Sequence, residues 1–129
     1  MLVVDDDEAI IELLRFLFEE DGLVVQAARN GREALRSLGS ELPDLVILDL
    51  RLPGLSGLEI LREIREDEKW QDLPVIILTV DSSPQTMLEG WKLGVYAYFV
   101  KPFDPDEVIH VARRVLSLPR SQPEASRTA

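Results

Sequence analysis

The chain has 129 residues, enough for one domain of ordinary size, and its lack of cysteine excludes a disulfide scaffold, a cysteine nucleophile and a thiolate metal site. Its 14 Lys and Arg residues against 24 Asp and Glu residues give a net charge of −10, which argues against direct binding to nucleic acid. Because no apolar run is long enough for a membrane span or a signal peptide, we expect a cytoplasmic protein without membrane attachment.

Short apolar runs alternate along the chain with longer segments of helical periodicity, a pattern typical of βαβ units around a parallel sheet. The runs predict five strands, at residues 2–4, 24–27, 45–48, 75–78 and 96–100. The first, third and fourth runs are almost wholly apolar, as expected of strands that are covered on both faces.

Five helices are predicted between and after these strands. They cover about residues 7–21, a segment from the capping box at Asn30 to near Gly39, residues 58–66, a segment from Pro84 to before Gly94, and a last segment that Asp104 caps. Right-handed crossovers between such elements give an α/β fold, a three-layer doubly wound domain, at residues 1–118. Residues 119–129 lose the apolar periodicity and are expected to be a disordered tail or a linker stub.

Polar residues follow four of the five predicted strands, at the carboxyl ends where open α/β sheets carry their functional groups. Asp5 and Asp6 follow the first strand, Asp49 the third, Thr79 the fourth and Lys101 the fifth. If the first and third strands are neighbours, the three carboxylates lie in one crevice, where their repulsion favours a cation. An all-oxygen ligand set predicts magnesium, or manganese in its place.

Taken singly, these residues have ordinary explanations as a helix cap, a loop acid, a strand threonine or a solvated lysine. Their joint position on one rim favours a functional site. The set offers a carboxylate that can attack phosphorus, a metal and an ammonium to neutralise the transferred charge, and a hydroxyl to bind a third oxygen. It therefore predicts a phosphoryl acceptor site.

The chain resembles the receiver domain of two-component response regulators over about residues 2–118. Four segments carry the resemblance in order and spacing: residues 3–7, residues 44–54 with Gly57, residues 76–79 and residues 98–103. The resemblance implies the flavodoxin-like receiver fold of chemotaxis-type receivers, a five-stranded parallel sheet in the order 2-1-3-4-5. It also implies a signalling switch that is not an enzyme, beyond its own magnesium-dependent phosphorylation and dephosphorylation.

The resemblance assigns roles to the residues of the rim. Asp49 becomes the phosphoacceptor, and its donor is the phosphohistidine of a sensor histidine kinase or a phosphotransfer protein. Asp5, Asp6, Asp49 and the backbone carbonyl of Arg51 hold the metal ion, while Thr79 and Lys101 each bind a phosphoryl oxygen.

The resemblance further implies how the phosphoryl group is read. Tyr98 becomes the switch aromatic that turns inward as Thr79 moves, and the Lys101–Pro102 peptide is expected to be cis. Phosphorylation changes the face formed by the fourth helix, the fifth strand and the fifth helix. A downstream effector protein or domain reads that face, and a homodimer formed on phosphorylation is a further expectation.

Several residues depart from the family pattern. Val80 stands where the family usually has Ala, Gly or Ser, and Arg51 and Asp81 flank the same entrance and are placed to pair across it. These three residues predict an access gate and a long-lived phosphoryl group. Trp91 and Tyr96 are also unusual, and we expect them to fill the core, with a docking surface as the alternative.

Other functions fit the sequence less well. A pseudo-receiver, in which Val80 blocks the pocket and the fold only binds proteins, is the main alternative, but the intact acidic set argues against it. A nucleotide or flavin binder would need a phosphate loop after the first strand, where residues 5–8 are all acidic. A magnesium-dependent phosphatase would need a cap or further acidic residues. A stand-alone receiver and the receiver of a longer protein with an output domain both fit the pattern.

Overall fold

The computed structural model describes residues 1–117, so the tail or linker predicted at residues 119–129 lies outside the described residues. Five strands and five helices alternate along the described chain. The strands are β1 (Leu2–Val4), β2 (Gln26–Ala28), β3 (Val46–Leu48), β4 (Val75–Thr79) and β5 (Ala97–Val100). The helices are α1 (Glu8–Glu19), α2 (Gly31–Ser40), α3 (Gly57–Glu66), α4 (Pro84–Lys92) and α5 (Pro105–Leu116). None of these helices has the length and apolar character of a membrane span.

The strands form one parallel sheet in the order β2-β1-β3-β4-β5, which confirms the order that the family resemblance implied. Val4 of β1 lies opposite Leu48 of β3. The residues that follow these two, Asp5 and Asp49, therefore leave the sheet at the same level. The condition for a shared carboxylate crevice, that the first and third strands are neighbours, is met.

Successive side chains of the buried strands point to opposite faces of the sheet, where helices cover them. On one face, Val4 belongs to a core cluster that includes Ile60 of α3. On the other face, Val3 belongs to a cluster with Leu14 of α1 and Val108 of α5. Two apolar cores, one on each side of the sheet, make the three-layer domain that the alternating pattern predicted.

The second strand starts two residues later than predicted. Val24 is 75% exposed and precedes the ladder, which begins with Gln26 opposite Leu2. Because β2 lies at the edge of the sheet and pairs only with β1, its apolar run does not coincide with a strand covered on both faces. The predicted bounds of this strand were therefore wrong, although its place in the chain was correct.

Side-chain caps begin the helices where the sequence predicted them. The side chain of Asn30 accepts a hydrogen bond of 2.9 Å from the Glu33 N–H at the start of α2. Asp104 accepts one of 2.9 Å from the Asp106 N–H at the start of α5, with Pro105 in the first turn. These caps satisfy N–H groups that have no partner within the helix, and so they fix where the loops on the functional rim end.

Candidate functional site

The sheet ladder carries two of the predicted site residues to one rim. The Asp49 N–H donates to the Val4 carbonyl at 2.9 Å, and the Asp5 N–H donates to the Ala28 carbonyl at 3.0 Å. Asp5 and Asp49 are 2% and 5% exposed, whereas Asp6 is exposed to solvent. Carboxylate oxygens of all three lie within 4.8 Å of one another. The crowding that the sequence predicted is therefore present.

Lys101 lies between the two buried carboxylates. Its Nζ donates to Asp5 Oδ2 at 2.8 Å and to Asp49 Oδ2 at 3.0 Å. Burial alone would lower the pKa of Lys101, but its hydrogen bonds and charge attraction with both carboxylates outweigh burial and raise that pKa. Burial raises the pKa of Asp5, and the Lys101 hydrogen bond offsets only part of this effect. One ammonium thus neutralises part of a buried negative pair.

The second oxygen of each buried carboxylate binds a backbone N–H two residues further on. Asp5 Oδ1 accepts from the Asp7 N–H at 2.9 Å, and Asp49 Oδ1 accepts from the Arg51 N–H at 3.0 Å. Each carboxylate is therefore held at both oxygens, one by the charge of Lys101 and one by the backbone. This arrangement fixes the side-chain orientation of Asp49 before any ligand binds.

The first turn of α3 packs directly against the backbone of Asp49. A Cβ atom placed on Gly57 would lie 2.3 Å from the Asp49 carbonyl oxygen and 2.5 Å from Leu50 Cα. The Gly57 N–H donates to the Leu50 carbonyl at 3.0 Å. Only glycine permits this approach, so the Gly57 of the sequence motif has a structural role in placing Asp49.

Thr79 and Tyr98 both contact the loop between β4 and α4 through Asp81. The Asp81 N–H donates to Thr79 Oγ1 at 3.3 Å, and the Tyr98 hydroxyl donates to the Asp81 carbonyl at 2.6 Å. Thr79 is fully buried and Tyr98 is half-buried. Burial raises the pKa of Tyr98 to about 12, and the charge of Asp81 acts in the same direction. The predicted switch pair is thus linked through one loop residue.

The three residues of the predicted access gate lie at the exposed edge of this site. Val80 is 51% exposed, and the ion pairs within residues 1–117 do not include one between Arg51 and Asp81. A hydrogen bond from the Ser83 N–H lowers the pKa of Asp81, and the charge of Arg51 adds a smaller effect in the same direction. Arg51 therefore attracts Asp81 without a direct contact, and the gate itself stays a prediction.

An apolar groove of about 360 Å³ opens beside Lys101 on the same rim. Its apolar walls come from α1, the residue after β4, the loop after β5 and the first residue of α5: Ile10, Leu13, Val80, Phe103 and Pro105. The Lys101–Pro102 peptide, which leads into this groove, is cis, as the family resemblance implied. The groove could not be predicted from the sequence, because its walls come from segments far apart in the chain.

Trp91 and Tyr96 do not fill the core. Trp91 is 49% exposed and Tyr96 is 40% exposed, and Leu88 on α4 is also exposed. Within α4 only Gly90 is buried, so the core does not fully enclose any large side chain of this helix. The prediction of core filling was therefore wrong, and the three apolar side chains contribute to an exposed surface.

The donor set on the rim fits a hard divalent cation. Asp5, Asp6 and Asp49 supply oxygen ligands only, and their spacing allows one ion to contact all three. An exposed carboxylate beside two buried ones leaves a side of the site open to water or to a phosphate oxygen. Such a site suits magnesium, which usually keeps several waters and shares its ligands with phosphate.

Comparison with known proteins agrees with this geometry. Residues 1–113 match the family model for the response regulator receiver domain. The chain is 40% identical over 126 residues to the phosphate regulon transcriptional regulatory protein PhoB of Rhizobium meliloti, covering 98% of this chain and 55% of that protein. It is 39% identical over 108 residues to the alkaline phosphatase synthesis transcriptional regulatory protein PhoP of Bacillus subtilis, covering 84% and 44%. The chain therefore spans about half the length of these two relatives.

Solved structures show the same fold. The non-phosphorylated HemR receiver domain from Leptospira biflexa has a TM-score of 0.86 and 37% identity, with 95% of this chain and 97% of that chain covered. The Vibrio cholerae chemotaxis protein CheY4 has a TM-score of 0.81 and 31% identity, with 88% and 95% covered. The strand order, the residues at the strand ends and these comparisons lead to one conclusion: the chain belongs to the family of response regulator receiver domains.

Proposed function

We propose that this receiver domain is a phosphoacceptor switch in which Asp49 takes a phosphoryl group from the phosphohistidine of a sensor histidine kinase or a phosphotransfer protein. The observation that carries the proposal is the position of Asp49, which is buried beside a second carboxylate and hydrogen-bonded to Lys101. A carboxylate, a fixed ammonium and a hydroxyl at one rim are the groups that phosphoryl transfer to aspartate requires.

Magnesium, or manganese in its place, would be held by Asp5, Asp6, Asp49 and the backbone carbonyl of Arg51. The spacing of the three carboxylates supports this assignment. When bound, the ion would neutralise charge on the phosphoryl oxygens and relieve the repulsion among the carboxylates. The carbonyl of Arg51 is included because the family resemblance implies it.

In the transfer step, a carboxylate oxygen of Asp49 attacks phosphorus and an O–P bond forms. The N–P bond of the donor breaks, and its electron pair stays on the imidazole, which takes up a proton from solvent. The Nζ of Lys101 is already 3.0 Å from Asp49 Oδ2, and as the acyl phosphate forms it would pair with a phosphoryl oxygen and stabilise the negative charge there. Thr79 lies buried on the neighbouring strand end and supplies a hydroxyl to a phosphoryl oxygen.

Thr79 would also transmit the change. Its Oγ1 now accepts a hydrogen bond from Asp81, whose carbonyl is bound by Tyr98. If Thr79 turns to the phosphoryl group, the loop after β4 loses that bond, and the equilibrium of the α4, β5 and α5 face shifts. A downstream effector protein or domain reads this face, or a second copy binds it in a homodimer. The exposed Leu88 and Trp91 suit such an interface.

The apolar groove beside Lys101 supports docking of a protein donor. Ile10, Leu13 and Phe103 line it within the rim that carries Asp49, so a helix placed there would bring its histidine to the acceptor. The net charge of −10 favours protein partners over direct contact with nucleic acid. We place the domain in the cytoplasm, without membrane attachment.

The first experiment is incubation with magnesium and acetyl phosphate or phosphoramidate, followed by intact mass measurement. We expect a single phosphoryl adduct on the wild type that chelator prevents. Asp49→Ala should give none, and Asp106→Ala, which removes an exposed carboxylate of α5, should behave as wild type. An adduct that survives in Asp49→Ala would contradict the assignment.

The alternative function, a pseudo-receiver that only binds proteins, rests on the branched side chain of Val80 at the entrance. It predicts no adduct from either donor although magnesium binds. In that case, Val80→Ala should open the pocket and allow the adduct to form.

A further inference from the structure

Arg65, near the end of α3, binds four backbone carbonyls of two other segments. Its Nε donates to the Leu93 carbonyl at 2.6 Å, and its Nη2 donates to the Gly94 carbonyl at 3.2 Å. Its Nη1 donates to the carbonyls of Leu73 at 2.8 Å and Gln71 at 3.1 Å. One guanidinium therefore joins the end of α4 to the loop that leads into β4.

These hydrogen bonds lie where the chain leaves α4. Leu93 is the residue after the last turn of α4, and Gly94 has a φ of +74°, a left-handed conformation that ends the helix. Carbonyls at a helix C-terminus carry partial negative charge, which a cation stabilises. The planar guanidinium can reach the carbonyls of Leu93 and Gly94 and both loop carbonyls at once.

The surroundings of Arg65 make these bonds stronger than surface contacts. The residue is half-buried, and burial lowers the pKa of its guanidinium, with the charge of Asp72 acting in the opposite direction. Hydrogen bonds from a charged donor are roughly twice as strong as neutral ones. Arg62 links α3 to α4 as well, through an ion pair with Glu89. This ion pair is more exposed than the hydrogen bonds of Arg65, because both of its side chains are about half exposed.

The other end of α4 is attached to different elements. Ser83 caps it, and the preceding loop is held by the Tyr98 hydroxyl and by Thr79 through Asp81. These groups belong to β5 and to the phosphoacceptor rim, not to α3. The two ends of the helix therefore depend on separate attachments, and only the N-terminal one touches the residues proposed to move.

The middle of α4 adds little to fix the helix. Its buried residue is Gly90, where a Cβ atom would lie 3.0 Å from Ile77 Cδ1 and 3.4 Å from Tyr98 Cδ2. Leu88 and Trp91 point to solvent. Because α4 buries so little apolar surface, the contacts at its two ends decide where it lies.

We propose that Arg65 is a positioning residue that fixes the C-terminal end of α4, so that phosphorylation of Asp49 displaces the N-terminal end of the helix about that fixed end. The first claim, that Arg65 fixes the C-terminal end of α4, concerns the unphosphorylated protein alone, and we call it the static part. The part about displacement rests on the proposed phosphorylation switch, and each part has its own experiment.

Hydrogen exchange in the unphosphorylated protein tests the static part. In Arg65→Gln, the amides of residues 94–96 should exchange at least about tenfold faster, the change expected from the loss of one charge-assisted hydrogen bond. Arg62→Gln is the matched control and should leave these rates within about twofold, because its ion pair is exposed. Wild-type rates in Arg65→Gln would overturn the proposal.

Arg65→Lys separates the planar geometry of the guanidinium from its positive charge. This variant also replaces Arg65→Gln if Arg65→Gln does not fold. Lysine keeps the positive charge and cannot hold four carbonyls in a plane. We expect the fast exchange of Arg65→Gln in this variant also. Full protection in Arg65→Lys would show that charge alone suffices, and the assigned role of the guanidinium would be wrong.

The fluorescence of Trp91 tests the displacement. In a Trp70→Phe background Trp91 is the remaining tryptophan and reports on α4. With Arg65 present, phosphorylation should change its emission; in Arg65→Gln the adduct on Asp49 should form as before, with less than half of that change. An unaltered change would overturn the proposal, as would a folded variant that no longer forms the adduct. If the wild type forms no adduct, the proposed function fails, and hydrogen exchange still decides the static part.

Discussion

The Tyr98 hydroxyl donates a hydrogen bond of 2.6 Å to the backbone carbonyl of Asp81, 17 positions earlier in the chain. The bond connects β5, at the edge of the sheet, to the loop after β4 that Thr79 also contacts. Because this carbonyl belongs to the loop, a displacement of the loop would change the hydrogen bond of the Tyr98 hydroxyl.

The stability of the domain should fall as the pH rises from about 10 to about 12. Burial raises the pKa of Tyr98 to about 12. The folded protein therefore holds the phenolic proton more tightly than the unfolded chain, and this contribution is complete below pH 10 and lost through the folded pKa. In Tyr98→Phe, the free energy of unfolding measured with urea should fall less than in the wild type as the pH rises from about 10 to about 12.

Spectroscopic titration provides the direct control for this shift. In Tyr96→Phe, Tyr98 is the remaining tyrosine, so the absorbance of the phenolate can be assigned to it. A midpoint near 10 in a protein that circular dichroism shows to be folded would contradict the expected shift.

Gly57→Ala should destabilise the domain by about 1 to 3 kcal/mol, because the added methyl group would overlap the backbone of Asp49 and Leu50. Gly39→Ala is the matched control, since a Cβ atom there meets nothing within 4 Å and Gly39 lies inside α2. That change should stabilise the protein by up to about 1 kcal/mol. Urea denaturation of both variants decides the matter, and equal effects would show that the approach at Gly57 carries no strain.

Magnesium should stabilise the wild type, by about 2.7 kcal/mol at a concentration 100-fold above its dissociation constant. Asp6→Asn should remove most of this gain and leave the metal-free stability nearly unchanged, because Asp6 is exposed. Thermal unfolding with magnesium, with chelator and with sodium chloride at equal ionic strength measures the effect. An equal gain in Asp6→Asn would exclude Asp6 as a ligand.

Removal of either part of the predicted gate should shorten the life of the phosphoryl group. Val80→Ala opens the entrance beside Lys101, and Arg51→Gln removes the charge that attracts Asp81. We expect hydrolysis to accelerate up to about tenfold, equal to about 1.4 kcal/mol of activation free energy. Loss of the adduct is followed by intact mass after the donor is removed. Unchanged rates in both single variants would end the gate hypothesis.

The strand ends could be predicted from the sequence because a parallel sheet places all of them on one rim. Asp5, Asp49, Thr79 and Lys101 each follow or end a short apolar run, and pairing of β1 with β3 then brings the first two together. The capping residue Asn30 could also be predicted, since its hydrogen bond is local. Local pattern and sheet geometry therefore suffice for the main site.

Contacts made by long side chains between distant elements could not be predicted. Arg65 reads as one more charged residue on α3, and its hydrogen bonds to residues 28 and 29 positions later exist only in the folded chain. The exposure of Trp91 could not be predicted for a related reason: an apolar aromatic side chain indicates burial, but Gly90 takes the buried position on α4. The predicted start of β2 was wrong because an edge strand need not be apolar on both faces.

The ammonium of Lys101 meets partners that lie 96 and 52 residues earlier in the chain. No shorter N-terminal fragment that ends before residue 101 contains the whole constellation. During synthesis, Asp49 therefore leaves the ribosome long before Lys101, the cation that neutralises it. We expect a nascent chain not to accept a phosphoryl group until β5 has left the ribosome and joined the sheet. Formation of the adduct would then count only molecules whose folding is complete.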